Sequence, residues 1–127
     1  MTRLELPLPP SANQLWRVVG SRVVKSSAYR SWLEIAGFEL LRQRPVAVPS
    51  PVAVSLVLRG RVYLGRDLDN FAKPVLDLLR HHEVIAGDNL THVRRVQLDF
   101  AACECEPVLM VAVGPWEDDG EGLFERG

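Results

Sequence analysis

Two aspartates spaced two apart stand in the run Arg66-Asp67-Leu68-Asp69-Asn70, with Lys73 close behind and Asp88 further on. Carboxylates are the donors that Mg²⁺ takes, since a hard cation is held by one or two acids, water and substrate phosphate oxygens. Mn²⁺ accepts the same donor set. A lysine beside such a group adds a compact point charge. Together these residues suit a reaction in which negative charge builds on phosphate oxygens, phosphodiester cleavage above all. The metal can clamp the attacking and leaving oxygens while the ammonium offsets developing charge.

The elements that must position these residues can be read around Pro74. A helix interior rejects proline, but the first turn tolerates it because its N–H groups lack intrahelical partners anyway. The spacing therefore predicts a helix from about Asn70 to His81, with Asp67 and Asp69 in extended or turn backbone just ahead of it. Residues i and i+2 of an extended segment point the same way, so both carboxylates are expected to face one point beside a helix N-terminus, where phosphate is also favoured. A plain capping role is the competing reading, but it accounts for only one of the two acids. Lys73 sits against the helix dipole, which implies that carboxylates or a phosphate offset it. Asp88 follows Gly87 as ordinary turn chemistry would have it, and only the need for a third ligand raises it to a site residue. Asp77 reads as a structural partner on the helix, His81 and His82 as capping or solvated groups at its C-terminus, and His92 as a strand surface residue.

Upstream, Thr2 to Leu8 reads as a strand stopped by Pro9-Pro10, and Val18 to Lys25 as a weak hairpin around Gly20-Ser21. A helix follows, capped by Ser26 or Ser27, with Trp32, Ile35, Ala36, Glu39 and Leu40 on its apolar face. Pro45 and Pro49-Ser50-Pro51 end it. The run Val52 to Leu58 is almost wholly apolar and β-branched, as in a central strand covered on both faces. Val93 to Ala101 and Pro107 to Val113 are expected to close the fold as an antiparallel pair. The fold class is α/β in the broad sense (α+β), a mixed β-sheet packed with helices, with residues 1–114 forming one domain and 115–127 an acidic tail.

The 127 residues carry a net charge of −1, and 47% are hydrophobic. That suffices for one domain with a real core. No apolar run reaches the roughly 18 residues of a membrane span, and the N-terminus lacks the apolar core of a signal peptide, so a soluble, cytoplasmic protein is expected. The charge is unevenly spread. Residues 1–66 hold ten basic and three acidic residues, a net of +7, while residues 67–127 hold five and thirteen, a net of −8. Such asymmetry permits a basic face for nucleic acid. Asn13, Arg17, Arg22, Lys25, Tyr29 and Arg30 form an N-terminal group able to grip phosphates, with Tyr29 or Trp16 placed for stacking. Arg59, Arg61, Arg66 and Asn70 add contacts next to the acids. Cys103 and Cys105 lack the further ligands of a zinc site and read as reduced thiols.

With these residues in view, the chain resembles the RusA family of Holliday-junction resolvases over most of its length. Leu8-Pro9-Pro10-Ser11-Ala12-Asn13 is similar to the family's PPS-x-N element. Asp67-Leu68-Asp69-Asn70-Phe71-Ala72-Lys73 fits its D-x-D-N-x-x-K signature without a gap, and Asp88 falls at the spacing of its last acid. Gly87 stands where many members have a second acid. The resemblance implies that Asp67, Asp69 and Asp88 bind Mg²⁺ and that Lys73 assists catalysis. It also implies a homodimer that nicks two opposed strands of a four-way DNA junction, an arrangement consistent with two sites related by a two-fold axis. Two other readings predict different behaviour: a junction-binding protein that does not cleave, and a structural interaction domain whose aspartates only cap a helix.

Overall fold

Alternation of apolar and polar residues in Thr2-Arg3-Leu4-Glu5-Leu6 buries Leu4 and Leu6 and exposes Arg3 and Glu5, which makes Thr2–Leu6 a half-covered strand, β1. In this computed structural model, which describes residues 1–11 and 14–118, the chain continues through strands β2 (Trp16–Val19) and β3 (Arg22–Lys25), helix α1 (Ser27–Arg42) and strand β4 (Val52–Arg59). Helix α2 (Ala72–His81) and strands β5 (Val93–Ala101) and β6 (Val108–Pro115) complete it. The result is one small domain of α+β type. Asn13 and residues 119–127, most of the expected acidic tail, lie outside the described residues. The folded unit runs past the expected boundary at residue 114: Pro115 ends β6, and the Trp116 backbone N–H donates to the Pro51 carbonyl at 3.0 Å.

β2 and β3 form the expected hairpin, turning at Gly20, whose φ of +62° is a left-handed conformation that glycine adopts without penalty. Ser26 is the N-cap of α1, its hydroxyl accepting from the Tyr29 N–H at 3.1 Å. Trp32, Ala36 and Leu40 are buried as predicted, but Ile35 is 58% exposed. One helical residue moves the direction of a side chain by about 100°, so Ile35 lies beside the buried stripe and not within it.

The four main strands order as β1-β6-β4-β5. β6 runs antiparallel to both β1 and β4, and β5 runs parallel to β4. The expected β5–β6 antiparallel pair is therefore incorrect, because β4 lies between them. A parallel pair needs a long crossover, and α2 with its flanking loops supplies one between β4 and β5. β4 also departs from the expectation of full cover on both faces. Val52, Val54, Leu56 and Leu58 are buried, while Ala53, Ser55 and Val57 on the reverse face are half-buried. The buried face shares one core with Tyr29, Trp32 and Leu40 of α1 and Val75, Leu78 and Leu79 of α2. Cys103 and Cys105 are joined as a disulfide with Cα atoms 5.4 Å apart, in place of the expected free thiols. They sit in the bend between β5 and β6, where the chain reverses and brings the sulfurs together.

Candidate active site

The site residues lie where the chain leaves the carboxyl end of β4 and enters α2. Between them, Leu68–Phe71 forms a 3₁₀ turn that the sequence did not announce. Pro74 then falls at the third residue of α2, in the first turn, as its missing N–H requires. The turn changes the geometry of the two aspartates. Asp67 precedes it with extended backbone (φ −83°, ψ 133°), whereas Asp69 lies inside it. The extended-segment argument that aimed both side chains the same way therefore does not hold. The capping reading fails as well, since Asp67 occupies the cap position but its carboxylate makes no capping hydrogen bond. Both aspartates are exposed, and among the described residues neither carboxylate has a hydrogen bond or an ion pair. Two exposed acids with no structural partner are available as donors.

Arg66 is tied into the framework. Its guanidinium stacks over the Phe71 ring at 4.4 Å and its Nη2 donates to the Pro9 carbonyl at 2.9 Å. Burial lowers its pKa from the usual guanidinium value, yet arginine stays protonated in proteins. Arg66 thus links the N-terminal Pro9-Pro10 element to the acids and is less free to reach DNA than its neighbours. Asn70 is half-buried, and its N–H donates to the Asp67 carbonyl at 3.2 Å.

Lys73 is the hub of the site. Its Nζ lies 3.4 Å from Asp88 Oδ2 and 3.1 Å from Asp77 Oδ1. The loop after α2 brings Asp88 back beside the first turn, as the predicted grouping of Lys73 with Asp88 required. The Lys73 pKa is raised, chiefly by its close contact with the Asp77 carboxylate, with burial opposing it and Asp88 adding to it. These carboxylates offset the unfavourable place of a cation near a helix N-terminus. The three predicted metal ligands are not drawn into one cluster: among the described residues, no group of three or more His, Cys, Asp and Glu side chains is placed to hold a metal ion. The donor chemistry still fits Mg²⁺. Asp67 and Asp69 offer unengaged carboxylate oxygens, and this ion commonly takes only one or two carboxylates, with water and phosphate filling the remainder.

Asp77 is the structural partner on the helix that its position implied, paired with Lys73 at 3.1 Å, whereas the stacking role expected of Tyr29 does not hold. Tyr29 is fully buried, so it cannot stack on a nucleobase, and its hydroxyl donates to Asp77 Oδ2 at 2.9 Å. The i,i+4 spacing of Lys73 and Asp77 signals the ion pair between those two, while no spacing in the sequence signals the contact with Tyr29. Trp16 remains 45% exposed, edge-on to Tyr29 at 5.8 Å. Of the proposed phosphate-gripping residues, Arg17 and Lys25 project from opposite faces of the hairpin, because Arg17 pairs with Val24 and Lys25 with Trp16. Lys25, Trp16, Lys73, Asp77 and Arg80 line a common groove of about 690 Å³ between the hairpin and the two helices. Arg59 is exposed at the end of β4, and Arg61 is exposed with a loose 3.6 Å contact to Glu106.

The Tyr29–Asp77 contact has a pH signature. Burial, then the Asp77 hydrogen bond, raises the Tyr29 pKa well above its ordinary value of 10.0. A raised folded pKa stabilises the protein fully below the unfolded pKa, and that stability is lost as pH rises through the folded value. The thermal midpoint is therefore expected to fall as pH is raised above the ordinary tyrosine pKa of 10.0. The fall should be shallower in Tyr29→Phe, as scanning calorimetry across an alkaline series would show. An equal slope in both proteins would rule out the tyrosine as its source.

Compared with known proteins, the chain matches no protein-family model and no curated sequence at a significant level. Among the described residues, no helix is long and apolar enough to cross a membrane.

Proposed function

We propose that this protein is a Mg²⁺-dependent, structure-selective endonuclease that acts on four-way DNA junctions, working as a homodimer with one site per subunit. The observation that carries this reading is the pair of exposed, unengaged carboxylates, Asp67 and Asp69, a few residues ahead of a lysine held between two further carboxylates. The resemblance of this same segment and of the Pro9-Pro10 element to RusA resolvases supports it. Asp67 and Asp69 would hold the metal, with Asp88 as the third ligand. Bound there, Mg²⁺ would polarise the scissile phosphate and activate water. Lys73 offsets charge gathering on the phosphate oxygens. Arg59, Arg61, Arg17 and Lys25 contact the sugar-phosphate backbone, which makes binding salt-sensitive and largely indifferent to sequence.

A labelled four-way junction and a linear duplex of matched sequence, each incubated with protein in Mg²⁺ or in EDTA, test the proposal. Paired symmetric nicks in the junction alone, and only with Mg²⁺, are the expected result. The dispersed acids and the engaged state of Asp88 favour a second reading, in which the protein binds junctions without cutting them. Tight junction binding with no cleavage under Mg²⁺ or Mn²⁺ would select it.

A further inference from the structure

The carboxylate nearest the Lys73 ammonium is Asp77, at 3.1 Å against 3.4 Å for Asp88. The Asp77 side chain is only 14% exposed. Its Oδ2 is taken by the hydroxyl of Tyr29, which is itself fully buried in α1. Its Oδ1 is also buried and receives no aligned hydrogen bond, which leaves the Lys73 charge as its closest partner; Arg80 stands further off at 3.9 Å. A carboxylate on a helix surface would ordinarily swing among rotamers and lend its neighbour little order. This one is pinned from the core side by a side chain of another helix and presents a single oxygen to the lysine.

Asp88 is a different kind of partner. It is more exposed, at 31%, and accepts a long hydrogen bond from Lys73 Nζ at 3.4 Å from a loop. It is also one of the acids that the proposed metal would engage. Asp77 faces α1, away from that role. Lysine is a point charge on a flexible four-carbon stem, and misplacing such a group by an ångström is enough to damage catalysis. We infer that Asp77, clamped by Tyr29, is the positioning residue for Lys73 and acts on the reaction only through it. This rests on the nuclease reading of Lys73. It also gives α1 a part in the site, through one buried hydrogen bond.

Asp77→Asn is the variant to make, because it keeps the size of the side chain and an acceptor for the Tyr29 hydroxyl while removing the charge. The expected result is a kcat for junction cleavage lower by about ten- to a hundredfold, with junction affinity in EDTA unchanged. In a Lys73→Met background the same substitution should cost nothing further, since a residue that acts through lysine has nothing left to position. A merely structural role would give equal losses in both backgrounds. A second readout does not depend on cleavage. Lys25 and Lys73 are the only lysines in the chain, so protein grown with lysine labelled at the ε-carbon shows two resonances, and Asp77→Asn should move that of Lys73 more than that of Lys25, which lies over the Tyr29 ring. An unmoved Lys73 resonance, or wild-type kcat in Asp77→Asn, overturns the inference. Wild-type protein that never cuts a junction overturns the nuclease reading first and this role with it, and the lysine spectrum then shows whether the contact itself was real.

Discussion

Asp69→Asn is expected to abolish junction cleavage while leaving the protein folded and able to bind junctions. Asparagine keeps the shape of the side chain and one oxygen, but it removes the negative charge that would hold Mg²⁺ against the competing pull of water. Metal stabilisation of transition-state charge is a matter of several kcal/mol, and about 1.4 kcal/mol corresponds to a tenfold change in rate. A loss of at least about a thousandfold follows. Stability should barely respond, because Asp69 is exposed and has no partner among the described residues; surface changes of this kind fall within about 0.5 kcal/mol. Cleavage of a labelled junction, measured beside the thermal midpoint of each protein, checks both halves. Undiminished cutting by the variant would remove Asp69 from the metal site. A collapse of the midpoint would instead return the aspartate to a structural role.

Lys73→Met should lower kcat by about a hundred- to a thousandfold, the range seen when one preorganised donor is taken from developing charge. Methionine keeps most of the stem, so the contrast isolates the ammonium. The substitution also strips Asp77 and Asp88 of their nearest cation. Asp77, at 14% exposure, keeps the Tyr29 hydroxyl but loses its nearer cation, leaving only Arg80 at 3.9 Å, and some loss of stability should accompany the loss of rate. Junction affinity should fall only slightly, since one phosphate contact among many is removed. Lys73→Arg should not restore the rate, because a planar fork does not occupy the place of a compact ammonium. Single-turnover cleavage at saturating enzyme separates the chemical step from binding. A variant that binds weakly but cuts at full rate once bound would make Lys73 a binding residue only.

The legible parts of this protein were those set by local physical chemistry. The hairpin at Gly20, the serine cap of α1, the apolar run of β4, the proline in the first turn of α2 and the extent of β5 all follow from neighbours in sequence. So does the grouping of Asp67, Asp69 and Lys73 near one helix entrance, because all three fall within seven residues. Propensity and periodicity act over such distances. The 3₁₀ turn at Leu68–Phe71 was not legible, since nothing in Leu-Asp-Asn-Phe distinguishes it from the start of an α-helix, and yet it sets the relative directions of the two acids.

What only the tertiary structure decided is which strands pair and which side chains meet across elements. β5 and β6 follow one another, but the crossover of α2 inserts β4 between them, and no local pattern encodes that choice. Tyr29 and Asp77 lie 48 residues apart and carry no motif in common. Their contact exists because α1 and α2 bury their apolar faces in the same core, which leaves a tyrosine hydroxyl facing a carboxylate with nothing nearer to satisfy it. The amino-acid sequence determined by itself the chemical types at the site and their order along the chain. The packing of two helices on one sheet decided how they face each other, because burial of apolar surface is non-directional and only the assembled fold turns it into specific distances.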